Sequence, residues 1–277
     1  MDVGFLADMV ESGLFWKVRN EALKDSRKRD LLHTLWGTVF GEFVTRLLND
    51  VCKEPANRFL PHPRFLNGGE ACDGIIMCNE FSAVMLEYKG SMLTAQAKYS
   101  GSPELISAQL EMKFVGTEGR PKGVRQLANA INKFGDKKNP QEIEAVERVA
   151  TIYPVLVARD EALGAPLVNR YLNRQFKTLY DRKRVRQTIT PLFVLTIDEL
   201  GEISGNLPDV PMDEILESKY KADTSQSFPF SAIQNERLGE APPQQNASLV
   251  KRFEEVIDEA CIDLFGRSFE HLKNTKQ

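Results

Sequence analysis

Two short apolar runs separated by Asn79-Glu80-Phe81 constrain this chain more than any other feature. They are Cys72-Asp73-Gly74-Ile75-Ile76-Met77-Cys78 and Ser82-Ala83-Val84-Met85-Leu86-Glu87-Tyr88-Lys89. Both are apolar and strand-length, and the polar tripeptide between them reads as a hairpin loop. With a three-residue loop, Cys78 pairs with Ser82, and the register carries Asp73 to a position directly opposite Glu87. Side chains alternate along a strand, so Glu87 and Lys89 share one face while Tyr88 takes the other. Directly opposed residues have Cβ atoms ~5 Å apart, so two carboxylates and an ammonium converge on one small surface. A two-residue loop would shift the pairing by one position and remove this opposition.

The rest of the chain supplies elements for a mixed α/β domain. Residues 5–25 and 30–52 read as helices, the second with Trp36, Phe40, Phe43, Val44, Leu47 and Val51 on one stripe. Pro55, Pro61 and Pro63 interrupt the stretch after them, leaving room for a short strand around Arg58–Leu60. Residues 103–115 form a candidate helix, and 121–134 a stronger one, with Pro121 near its start and Val124, Leu127, Ala128 and Ile131 on its apolar face. Residues 141–150 add a short helix. Two β-rich runs, 151–158 and 189–197, read as buried central strands, with a helix over Leu167–Tyr180 between them. Residues 201–247 are rich in Gly, Pro, Ser, Asn and Gln and read as a loop-rich excursion, followed by an amphipathic helix over 247–265. The expected division is a core domain over 1–200 and an acidic, loop-rich segment over 201–277 whose final helix packs on the core.

Charge is unevenly spread along the chain. Residues 198–277 carry 16 acids and 8 bases, so the first 197 residues hold 28 of the 36 bases and 23 of the 39 acids. A mildly basic body is compatible with nucleic acid without demanding it. The four cysteines, Cys52, Cys72, Cys78 and Cys261, form no CxxC pair and no zinc-type spacing with His33, His62 or His271. Reduced thiols and a cytoplasmic location are the expectation. No apolar run approaches the ~20 residues that span a bilayer, so no membrane partner is expected. The acid-bearing N-terminus lacks the basic region of an export signal. GxSxG, P-loop and GxGxxG patterns are missing from the sequence.

Two opposed carboxylates repel unless a cation compensates them. Mg²⁺ suits such a pair, since it takes one or two carboxylates and keeps water and phosphate oxygens as its remaining ligands. A lysine two residues on can orient a water or offset charge developing on a phosphate. The chemistry these groups describe is phosphodiester hydrolysis by metal-activated water. The bland alternative is a strand end at Asp73 and a solvated edge pair at Glu87 and Lys89. A second Glu-x-Lys, Glu111-Met112-Lys113, lacks the preceding strand and upstream aspartate and reads as helix surface.

Asp73-Gly74 on one strand, followed by Ala83-Val84-Met85-Leu86-Glu87-Tyr88-Lys89 on the next, resembles the PD-(D/E)XK nuclease superfamily. An acidic residue on a preceding helix (Glu42 in Gly41-Glu42-Phe43) and a Gln-Leu pair on a later one (Gln126-Leu127) add to the resemblance. Ala71-Cys72 stands before Asp73 where proline is often found, a departure common in that diverse group. The resemblance spans about the first 200 residues and implies a restriction-endonuclease-like mixed sheet flanked by helices, with N- and C-terminal helical additions.

It further implies that Asp73, Glu87 and the Tyr88 carbonyl ligate Mg²⁺, with Mn²⁺ as a substitute, and that Lys89 positions the attacking water. Glu42 and Gln126 would assist the metal, water or phosphate; a solvated glutamate and an ordinary surface glutamine are their alternatives. DNA is the expected substrate, and a role in prokaryotic defence against phage or plasmids is a common setting for such nucleases. Arg125, and the group Arg170, Arg174, Lys177, Arg182, Lys183 and Arg184 interleaved with Tyr171, Phe176 and Tyr180, are candidates for phosphate contact and base stacking. A solvated helix face with buried aromatics is the competing reading. An inactive nucleic-acid-binding or assembly subunit and an RNA-cutting toxin remain as alternatives. A homodimer, or a partner protein docked through the C-terminal region, is compatible with either.

Overall fold

The computed structural model describes residues 15–22, 25–65, 68–134, 148–183 and 185–230, with single residues or short stretches between 232 and 262. Most of the expected helix over 141–150, the first part of the N-terminal helix, Arg184 and most of the C-terminal helix lie outside the described residues; residues 148–150 are described and are not helical. A mixed sheet flanked by helices on both faces organises the fold. Helix α1 (Ser26–Val51) starts where the Asp25 side chain accepts from Arg27 N at 2.9 Å. It buries Phe40, Val44, Leu47, Leu48 and Val51. Phe43, expected on this stripe, is 41% exposed, and Trp36 is only half-buried. The buried residues of the helix all fall between Phe40 and Val51.

Strand β1 (Arg58–Pro61) pairs antiparallel with β2 (Gly74–Met77), which pairs antiparallel with β3 (Ser82–Lys89). The hairpin register is the one a three-residue loop dictates, running from Met77↔Ala83 to Gly74↔Leu86. Asn79 sets it locally: its Oδ1 accepts from Phe81 N at 2.7 Å and Ser82 N at 2.8 Å, an Asx turn that closes the loop. After β3 come α2 (Ala95–Tyr99), α3 (Pro103–Leu110), a π-helical turn over Glu111–Val115, the small hairpin β4 (Gly116–Thr117) and β5 (Arg120–Pro121), and α4 (Gly123–Phe134). Strand β6 (Thr151–Ala158) then lies parallel to β3 along its whole length.

The run 189–197, expected as one central strand, is broken in two and lies at the end of the strand order. Beyond α5 (Val168–Leu179), β7 (Thr188–Ile189) and β8 (Phe193–Thr196) both pair with β6, the first near its start and the second near its end. Thr190 N donates to Ile152 O, so alternate residues of β6 face this neighbour, Pro154 among them. Proline has no N–H to offer, and the ladder lapses there, opposite Pro191.

Each face of the sheet carries its own core. Met77, Ala83 and Met85 pack with Leu127, Ile131, Leu172 and Phe176 of α4 and α5. Ile76, Val84, Leu86 and Tyr88 pack with α1 and with residues from the segment expected to be loop-rich. That segment contains α7 (Met212–Ala222) and begins within α6 (Ile197–Ser204). Its Leu207, Met212, Leu216 and Phe230 are buried, which outweighs the loop-like composition around them. Among the described residues no helix is long and apolar enough to cross a membrane.

Candidate active site

Strand β2 begins only at Gly74, leaving the last residues of β3 without an antiparallel neighbour, and Asp73 occupies that open edge. Its N–H donates to Leu86 O at 3.1 Å, while its Oδ2 accepts from Tyr88 N at 2.6 Å. A side chain at Gly74 would collide with Phe59 and the Tyr88 hydroxyl, so a glycine here lets the turn at Asp73 lie close to β1 and β3. Glu87, only 3% exposed, continues the face of Ala83 and Met85, and its Oε1 accepts from Lys89 Nζ at 2.8 Å. The Tyr88 ring goes to the opposite face, among the α1 core residues. Its backbone N–H points towards Asp73, and in a strand the carbonyl of the same residue lies on the same edge.

Asp73, Glu87, Tyr88, Lys89, Glu42 and Gln126 all line one cleft of ≈ 430 Å³. Glu42 is exposed on the wall that α1 provides, where Thr34, Gly37, Thr38 and Gly41 keep the helix surface low. Gln126, half-buried, comes from the first turns of α4. A second cleft of ≈ 180 Å³, walled by Phe65, Asn129 and Lys133, meets the first at Asp73, Glu87 and Gln126. The closeness of α4 to β3 rests on Gly123, where an added Cβ would stand 2.6 Å from Leu156 Cδ1 and 3.1 Å from Lys89 Cγ.

The electrostatics are those of an undercompensated acid pair. Burial pushes the Glu87 carboxyl up to about 7; the Lys89 charge works against this and the Asp73 charge adds to it. Asp73 is also raised by burial, opposed by the Tyr88 N–H and Lys89. Asp73 Oδ1 and Glu87 Oε2 make no hydrogen bond within the described protein. Among the described residues no group of three or more His, Cys, Asp or Glu side chains is arranged to hold a metal. An ion here would therefore rest on two carboxylates and a carbonyl, with water or substrate oxygens completing its shell, a donor set that fits Mg²⁺.

Three residues that the sequence did not assign to the catalytic set also line the cleft. Lys122 stands at the start of α4, depressed by burial and by the Arg120 and Lys89 charges. His62 has a left-handed backbone (φ 46°), donates its N–H to Asp73 O at 3.0 Å, and has Nδ1 3.2 Å from Glu70 Oε1. His33 comes from α1. The convergence of these side chains is tertiary; only the basic run around Arg120–Arg125 hinted at one of them.

The basic candidates lie elsewhere. Arg125 is half-buried with its Nε 3.4 Å from Gly116 O, and it does not line the cleft. Arg170, Arg174 and Lys177 are exposed on α5, as are Arg182 and Lys183 after it, and none reaches either cleft. Of the interleaved aromatics, Phe176 is buried, and Tyr171 and Tyr180 are half-buried and pack against the core. Comparison with models of known families, with curated proteins and with solved structures finds no match to this chain.

Proposed function

We propose that the protein is a metal-dependent nuclease, of the restriction-endonuclease-like fold and the PD-(D/E)XK type, that hydrolyses phosphodiester bonds, with DNA as its expected substrate. The observation that carries this reading is the meeting of Asp73, Glu87 and Lys89 at the open end of a hairpin, inside a cleft that also receives Glu42 and Gln126. Asp73, Glu87 and the Tyr88 carbonyl would hold Mg²⁺, with Mn²⁺ as substitute. A bound ion of this kind lowers the pKa of water and polarises the phosphoryl group. Lys89, anchored on Glu87, would orient the water; Gln126 would hold it or the phosphate. The mixed sheet, with β3 antiparallel to β2 and parallel to β6, supports the fold assignment but is shared by other α/β proteins.

Plasmid, linear, single-stranded and RNA substrates incubated with Mg²⁺ test the reading together. Cleavage is expected in Mg²⁺ or Mn²⁺ and not in excess EDTA. Asp73→Ala, Glu87→Ala and Lys89→Ala should each lower it by at least about 100-fold with circular dichroism unchanged. Undiminished wild-type cleavage in EDTA would overturn the metal mechanism, and preferential RNA cleavage would change the substrate class.

A further inference from the structure

Lys89 is already committed, since its Nζ donates to Glu87 Oε1 at 2.8 Å. Lys122 faces the same cleft from α4, half-buried, and makes no ion pair with a carboxylate among the described residues. Its backbone is pinned from both sides. Lys122 N donates to Val115 O at 3.1 Å, and Lys122 O accepts from Gln126 N at 2.9 Å as α4 begins. The tiny hairpin preceding it is built around Gly116, whose φ is +73°. A Cβ at that position would lie 2.4 Å from Arg120 O and 2.8 Å from Lys122 N, so the turn closes directly onto the backbone that carries Lys122. The backbone that carries this cation into the cleft is thus fixed at both its N–H and its carbonyl.

We infer that Lys122 is a second catalytic cation, contacting a non-bridging oxygen of the phosphodiester being cleaved; this rests on the nuclease reading above. Charge balance explains why one is needed. Asp73, Glu87, Glu42, Lys89 and one divalent ion carry a net charge of about zero, and a bound phosphodiester takes the site to about −1. Attack by a hydroxide-like water takes the reacting group from about −1 to about −2, and the same set leaves that added charge uncompensated. Lys122, half-buried on the same cleft, supplies the missing positive charge.

Two measurements on the full chain test this. Single-turnover cleavage by Lys122→Gln is expected to be about 100-fold slower than wild type, with KM within about threefold, and Lys122→Arg should recover about tenfold. A short phosphorothioate oligonucleotide, added with Ca²⁺, should protect Lys122 of the wild-type protein from acetylation, read by mass spectrometry. Wild-type cleavage rates in Lys122→Gln, or equal acetylation with and without the oligonucleotide, would overturn the assignment while leaving the nuclease reading intact. If the wild type shows no metal-dependent cleavage, that reading fails instead. Protection of Lys122 would then still support its phosphodiester contact, and unprotected Lys122 would remove both.

Discussion

Glu87 is the residue on which the acid pair turns. An unperturbed glutamate is ionised at neutral pH, but burial raises this one to about 7, so in the metal-free protein it is about half protonated there. The folded value lies above the unfolded one. Between the ordinary value of 4.5 and about 7 the folded chain therefore holds a proton that the unfolded chain has lost. Stability from this group is full below 4.5 and declines as pH rises through 7, with an upper limit of about 3 kcal/mol. We expect the melting temperature of metal-free protein to fall between pH 5 and about 8, and Glu87→Gln to flatten that slope. Mg²⁺ needs the carboxylate, so apparent Mg²⁺ affinity of the wild type should drop about tenfold per pH unit below about 7. Calorimetric titration across that range checks the second expectation. A slope identical in Glu87→Gln would show that another group titrates.

At the scale of elements, what could be read from the sequence depended on whether the determinant was local. The hairpin could be, because Asn79 carries its own turn and the alternation of β3 fixes its faces. So could β6, an unbroken run over Thr151–Ala158 whose bounds match the expectation. The division of 189–197 into β7 and β8 could not, since it depends on the missing N–H of Pro154 on a strand far away in sequence. α7 was obscured for a different reason: Met212, Ile215 and Leu216 are interspersed with five charged residues and preceded by Pro208 and Pro211. Within the site, Asp73, Glu87 and Lys89 followed from register, whereas Lys122 and His62 arrive by tertiary packing. The junction of α4 with β3 makes a prediction of its own. Gly123→Ala should displace the Lys89 stem and Leu156, costing about 1–3 kcal/mol by overpacking and lowering cleavage about tenfold or more. Denaturant unfolding and single-turnover rates separate the two effects; full activity would mean that Lys89 adapts without leaving Glu87.

The molecule as a whole is held together across the boundary expected at residue 200. That position lies within α6, and Leu200, Ile203, Leu207, Met212, Leu216 and Phe230 share a core with α1 and β3. The polar contacts repeat the pattern. Asp213 accepts from Asn79 Nδ2 at 3.2 Å and from the Ser82 hydroxyl, tying α7 to the hairpin loop whose far end carries Asp73 and Glu87. Asn57, fully buried between α1 and β1, donates through Nδ2 to Leu207 O at 2.6 Å and Val210 O at 2.8 Å, and its Oδ1 accepts from Met212 N at 3.0 Å. One side chain thus satisfies three backbone groups of the turn between α6 and α7, two of them buried and one half-buried. Each such group left without a partner costs about 1–3 kcal/mol, so Asn57→Ala should destabilise the protein by at least about 3 kcal/mol. The loss should come in a single cooperative transition, because the same core spans both sides of residue 200. Urea unfolding followed by circular dichroism and by the fluorescence of Trp16 and Trp36 checks this. Coincident curves at a lower midpoint are expected; an early transition in one probe alone would mean that residues 201–230 unfold as a separate unit.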